Sequence, residues 1–283
     1  MVENRPLLAI LSHLILLLGV AMVALPVWIT FVGASHEAER MMQTPIPMWP
    51  GDQFLVNLKQ TFWGSGLSGT KTAPVWMMMF NSLIMALMIA VGKIAISLLS
   101  AFAIVYFKFP FRMAFFWMIF ITLMLPVEVR ILPTFEVIAD LGMLNSYWGL
   151  TVPLIASATA TFMFRQVFLT IPDEMLESAR IDGAGPMRFF WDIVIPLSRT
   201  NIAALFVILF IYGWNQYLWP LLVTTDSDMS TIVVSIKQML EAAEQSPQWN
   251  IIMMTALLAM VPPIFVVIAM QKLFVQGLTE TDK

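Results

Sequence analysis

The sequence predicts an all-α membrane protein with six transmembrane helices, and three observations carry that prediction. Hydrophobic residues make up 59% of the chain and charged residues 12%, against about 25% charged in ordinary soluble domains. Six stretches are apolar over a length that spans a bilayer as a helix. The ten-residue alternation of barrel strands is missing, and backbone groups cannot stay unpaired in lipid, so helices are the remaining choice. The mean hydropathy of +0.83 agrees.

Composition also removes several chemistries. The chain has no Cys, which excludes disulfides, thiol catalysis and Cys-ligated metal. His13 and His36 are the 2 histidines, too few for a histidine-rich metal centre. No Ser/His/Asp set or paired buried carboxylates occur. The net charge of −3 says little, because the sidedness of charge matters more than its sum in a membrane protein. No basic arm suggests nucleic acid.

The first apolar stretch, residues 7–32, is too long for a signal-peptide core and is preceded only by Arg5. It reads as an uncleaved span, with Gly33-Ala34-Ser35 leaving a cleaved leader as the alternative. Residues 33–74 form a loop rich in Pro, Gly, Ser and Thr. Gly64-Ser65-Gly66-Leu67-Ser68-Gly69 in this loop matches a dinucleotide-binding pattern, and Gly64, Gly69 and Lys71 come within one residue of a phosphate-binding loop. Both patterns need a strand before and a helix after. Neither context is present, so the expectation is a flexible loop and no nucleotide site in this chain.

The second span, residues 75–106, carries Lys93 about 20 Å from its nearer end at helical rise. Snorkelling does not cover that distance, and a lysine at such depth faces the bundle interior or a wet cavity. It reads either as an attractive charge on a path for an anionic substrate or as a lysine paired with a carbonyl or a partner subunit. The third span, residues 111–129, is bracketed by Arg112 and Glu128. It runs into Leu125-Pro126-Val127-Glu128-Val129-Arg130-Ile131-Leu132-Pro133, read as a gate or as an interfacial turn with a solvated ion pair. The fourth span is residues 147–168. The fifth, residues 201–223, holds Asn215 and Gln216, which need partners inside the bundle as pathway residues or interhelical glue. The aromatics around Trp219 read as interface anchors. Pro262-Pro263 in the sixth span, residues 250–274, implies a kink.

Basic residues orient the chain. With the N-terminus inside, the inner segments hold Arg5, Lys108, Arg112, Arg165, Arg180, Arg188, Arg199, Lys272 and Lys283. The outer loops hold Arg40, Lys59, Lys71, Arg130 and Lys237, three of them in the long first loop, which weighs less in the rule. Both termini are therefore expected in the cytoplasm.

The longest stretch of mixed polarity, from Glu177 to Pro196, falls on the same side. Thr170 and Asp173 are spaced as a capping box with Pro172 in the first turn. Asp173 and Glu174 place negative charge at the positive end of a helix. Gly183, Gly185 and Pro186 are expected to stop it. A second short helix is expected over residues 187–193, with Pro196 interrupting the approach to the next span. Leu176, Ala179 and Gly183 share one face, a low ridge suited to a shallow cleft on another protein.

On these residues the loop resembles the EAA loop of ABC importer permeases. Glu177-Ser178-Ala179, then Gly183, then Ile193, Ile195 and Pro196 follow that family's spacing, with Ser178 and Ile195 as mild departures. Ala101-Phe102-Ala103-Ile104-Val105-Tyr106 before Phe109-Pro110, and Trp214-Asn215 with Pro220-Leu221, are similar to the carbohydrate-type branch. The opening Glu3-Asn4-Arg5-Pro6, the run from Phe116 to Arg130 and the run from Tyr212 to Pro220 resemble permeases of sn-glycerol-3-phosphate importers.

The resemblance implies a type I ABC importer permease fold: a first helix and periplasmic loop over residues 1–74, a transmembrane domain over 75–275 with its coupling loop at 170–200, and a tail at 276–283. It implies a non-catalytic subunit of a bacterial inner-membrane importer for sn-glycerol 3-phosphate, with glycerophosphodiesters as further cargo. A second permease subunit, two copies of an ABC ATPase and a periplasmic binding protein are the implied partners. ATP and Mg would sit on the ATPase, with no cofactor on this chain. Leu176, Glu177, Ala179, Gly183, Ile193 and Pro196 are the implied ATPase-coupling residues, Glu177 making a charge-assisted bond. Lys93, Glu128, Arg130, Asn215 and Gln216 are the candidates for the substrate path. An importer of a neutral sugar is the nearest rival, and a secondary transporter or membrane scaffold without an ATPase is a rival of another class.

Overall fold

The computed structural model describes residues 6–64, 73–122, 127–244 and 247–279. Side chains of 6, 9, 127, 128 and 274–279 fall outside that description. So do residues 65–72, which hold most of the glycine-rich decoy, and the Glu128 side chain. Regular structure among the described residues is helical throughout. Among the described residues three helices are long and apolar enough to cross a membrane: α1 (Pro6–Ala34), within which Ile10–Ala34 qualifies, then α4 (Val75–Tyr106), and Trp249–Leu273 within α15 (Trp249–Thr279). Two bent pairs raise the number to 5 if each is one span. The expected third span is instead a 10-residue helix, α5 (Arg112–Ile121), and residues 123–126 lie outside the description.

The chain divides into two compact units, Met1–Met77 with Ser235–Val261 and Met78–Val234 with Pro262–Lys283. In the first, the segment that follows α1 holds two short helices. They are α2 (Ala38–Met42) and α3 (Phe54–Trp63). The buried Asn57 donates through Nδ2 to the carbonyls of Ala34 and His36, each at 2.8 Å, and accepts from Asn250 Nδ2 at 3.0 Å. Gly51 N–H donates to Ser35 Oγ at 2.8 Å. These bonds satisfy polar groups that would otherwise be orphaned at the end of α1, so the loop folds back on it.

In the second unit, α4 is the central element. It packs against α6 (Val127–Asp140), α7 (Tyr147–Thr151) and α13 (Leu218–Val223) through a core that includes Met85, Ile89, Ile138, Leu150 and Trp219. The residues expected to form an interfacial turn around Arg130 belong to α6, which continues through Pro133. Trp219 is no interface anchor. It is buried, and its indole N–H donates to the Gly149 carbonyl at 3.1 Å. Tyr147 donates to Asn81 Oδ1 at 2.7 Å, while Asn81 Nδ2 holds the carbonyls of Asp228 and Ser230.

The other apolar stretches are broken rather than continuous. The segment Tyr147–Leu154 meets α8 (Ala158–Leu169) at 52°. Ser157 caps α8 by accepting from Ala160 N–H at 3.3 Å, so the break coincides with an N-cap residue. The fifth stretch breaks after α12 (Arg199–Trp214), at Asn215, before α13 begins. Helix α15 runs on through Pro262 and Pro263.

Candidate functional site

The mixed-polarity loop folds as α9 (Asp173–Ile181), α10 (Pro186–Phe189) and α11 (Ile195–Leu197). Asp173 and Glu174 occupy the first turn of α9 as expected from the dipole. The capping box does not form: Pro172 is the N-cap, and Thr170 Oγ1 donates back to Val167 O at 2.7 Å. Gly183 has φ +74, the left-handed conformation that ends a helix at low cost without a Cβ. Pro186 starts α10 rather than stopping α9, as its fixed φ suits the first helical position.

A π turn spans Phe190–Val194. Pro196 supplies no N–H and its ring crowds the carbonyl four residues back, so the helix widens just ahead of it. The sharp change of direction, 74°, comes at Ser198 between Leu197 and α12, not at Pro196.

The low ridge faces inward. Ala179 is 5% exposed, and with Leu176 it lines a cleft of about 220 Å³ closed by Phe102, Tyr106, Pro186 and Phe189. Its small side chain lets α9 lie on the end of α4 and on α10. The outward face carries Glu174, Glu177, Ser178 and Ile181, all exposed, with Ile181 at 86%. Ile193 is half-buried, and Gly183 and Pro196 are exposed. Ile181 is an exposed aliphatic that the sequence reading does not single out. The available signal was a lone aliphatic four residues after Glu177, on the otherwise polar face.

The second set of candidates converges on a residue that was not singled out for the path. Lys93, 7% exposed, places Nζ over the ring of Tyr212, 3.9 Å from its centroid. Gln216 is half-buried and donates from Nε2 to the Tyr212 carbonyl at 3.2 Å. Arg130 on α6 is exposed, and its neighbour Ile131 packs with Met85 and Ile89 of α4. Asn215 is the exposed C-cap of α12 and stays apart from the cluster's bonds. Among the described residues no group of three or more His, Cys, Asp or Glu is placed to hold a metal.

Comparison with known proteins bears on the whole chain. The profile of the family described as binding-protein-dependent transport system inner membrane component matches residues 93–280. The sn-glycerol-3-phosphate transport system permease protein UgpE of Salmonella typhi is 59% identical over 283 residues, covering 100% of both chains. Its namesakes in Agrobacterium fabrum and Escherichia coli K12 are each 57% identical over the same full length. Among solved structures, a chain of a bacterial ABC transporter involved in the import of the acidic polysaccharide alginate superposes with a TM-score of 0.80. It is 18% identical, and the match covers 96% of this chain and 98% of that one. At that identity the likeness is one of fold.

Proposed function

The chain belongs to the family of binding-protein-dependent transport system inner membrane components, and from that premise we propose that it is a permease subunit of an ATP-driven importer of sn-glycerol 3-phosphate. The observation that carries the cargo is the 57–59% identity to permeases of that name without a gap in coverage. Glycerophosphodiesters share the phosphoglycerol unit and are the natural further cargo.

In this reading the chain pairs with a second permease subunit, and a periplasmic protein delivers the solute. Two copies of an ABC ATPase bind ATP and Mg and supply the energy. Both termini and α9 lie on the cytoplasmic side, in keeping with the distribution of Arg and Lys. The outward face of α9 meets the ATPase, with Glu177 offered to a basic group and Ile181 to an apolar hollow beside it. The inward face, Leu176 and Ala179, ties α9 to the end of α4. A push on α9 is thereby passed to α4 through its cleft and to α12 through α10 and α11. The ATPase acts by favouring one of two packed states of the helices.

The test is uptake of labelled glycerol 3-phosphate in phosphate-starved cells with and without this chain, other routes deleted and maltose as control. The expected result is a selective loss that the intact gene restores. Unchanged glycerol 3-phosphate uptake would overturn the cargo.

A further inference from the structure

Lys93 lies near the middle of the 32-residue α4 and is 7% exposed. The ion pairs among the described residues, Arg188–Asp192 and Lys237–Glu241, do not include it. Its contact is the face of the Tyr212 ring, which offsets only part of the cost of taking an ammonium out of water. A charge kept at that depth without a carboxylate from its own described surroundings is set up to meet an anion.

The backbone around it points the same way. A Cβ on Gly92 would stand 2.7 Å from Ile155 Cγ2, and Ser97 Oγ donates to the Ser157 carbonyl at 3.3 Å. The break between α7 and α8 therefore lies at the depth of Lys93. Tyr212 brings the end of α12, and its break at Asn215, to the same depth. Non-helical backbone within a membrane is tolerated where it is enclosed by protein or lines a cavity, and in secondary transporters helices broken at the midplane form the solute site. Ile131, next to Arg130, shares a core with Met85 and Ile89 of α4, and Ile89 stands one helical turn before Lys93, so α6 brings a second positive charge to this part of α4.

We infer that Lys93, Arg130 and the Tyr212 hydroxyl form an anion station within the membrane that receives the phosphate monoester of the transported solute. The two cations match the two charges of a monoester, and the hydroxyl donates to a phosphate oxygen. Gln216 holds the Tyr212 backbone in place. The inference rests on the proposed import of glycerol 3-phosphate and deepens it.

The experiment uses the complete transporter in proteoliposomes, with its partner permease, ATPase and binding protein. Uptake of glycerol 3-phosphate and thermal stability are measured for wild type, Lys93→Met, Lys93→Arg, Tyr212→Phe and Arg130→Gln. Lys93→Met removes a buried charge at similar volume, so its stability should hold or rise. Its uptake should fall at least ~10-fold, the loss of a charge-assisted hydrogen bond. Lys93→Arg should retain most of the uptake, and Tyr212→Phe and Arg130→Gln should each lower it severalfold with stability unchanged.

Wild-type uptake in Lys93→Met would overturn the station, as would a joint fall of stability and assembly in Lys93→Met, which assigns the lysine to an ion pair with the partner permease. Normal uptake by both Tyr212→Phe and Arg130→Gln decides against the station as well. Failure of the functional reading shows itself separately, as a wild-type transporter that does not import glycerol 3-phosphate.

Discussion

Gly213 of α12 lies against Ala86 of α4 so closely that a Cβ on Gly213 would stand 2.9 Å from the Ala86 Cα. The two helix backbones meet there without an intervening side chain, which is the packing small residues allow between membrane helices. Tyr212 is the preceding residue, so the contact also helps to place the ring under Lys93. Gly213→Val should push α12 away and cost about 1–3 kcal/mol, as overpacking does. Thermal unfolding in detergent measures it. Ala86→Gly in the same chain should restore little, because the closest atom is backbone. Full recovery in the double variant would show that side-chain bulk, not backbone approach, sets the spacing.

The polar knot of the first unit makes a graded prediction. Asn57 is 4% exposed and serves three bonds, while Asn250 Nδ2 serves one of them. Asn57→Ala orphans two carbonyls and a donor, for a cost of about 2–4 kcal/mol, and Asn250→Ala about half of that. Tryptic cleavage at the exposed Lys59 reports it: the rate should rise steeply for Asn57→Ala and mildly for Asn250→Ala. Equal rates in the two variants would mean that the knot does not hold α3 in place.

Much of this architecture was legible from residues alone, and the exceptions share a cause. The span at 75–106 coincides with α4 because a long, mainly apolar run lies between Pro74 and Lys108–Pro110. The broken spans were read as continuous. Their breaks at Ser157 and Asn215 lie inside apolar runs and are set by what each half packs on. Thr170 fits a capping box by spacing, yet its hydroxyl found the nearer carbonyl of Val167. The depth of Lys93 followed from counting, whereas Tyr212 did not stand out, since an aromatic in a span reads equally as core or as interface.

The loop from Glu177 to Pro196 shows the same limit in sharper form. Periodicity reveals that α9 has two unlike faces, but not which of them the chain keeps for itself. That choice depended on the aromatic cleft of Phe102, Tyr106 and Phe189, contributed by α4 and α10. A prediction separates the faces. Glu177→Lys and Ile181→Ser alter exposed positions, so the protein should fold and reach the membrane in normal amount, as surface changes shift stability by under ~0.5 kcal/mol. Glycerol 3-phosphate uptake should nonetheless collapse while the ATPase continues to hydrolyse ATP. Ala179→Glu buries a charge among aromatics and should instead reduce the amount of folded protein. Its inward position also means that no added ATPase restores the folded amount. The measurements are membrane abundance, uptake and ATP hydrolysis on the same preparations. Normal uptake in Glu177→Lys together with Ile181→Ser would remove α9 as the coupling element, and abundant, well-folded Ala179→Glu would reverse the assignment of its two faces.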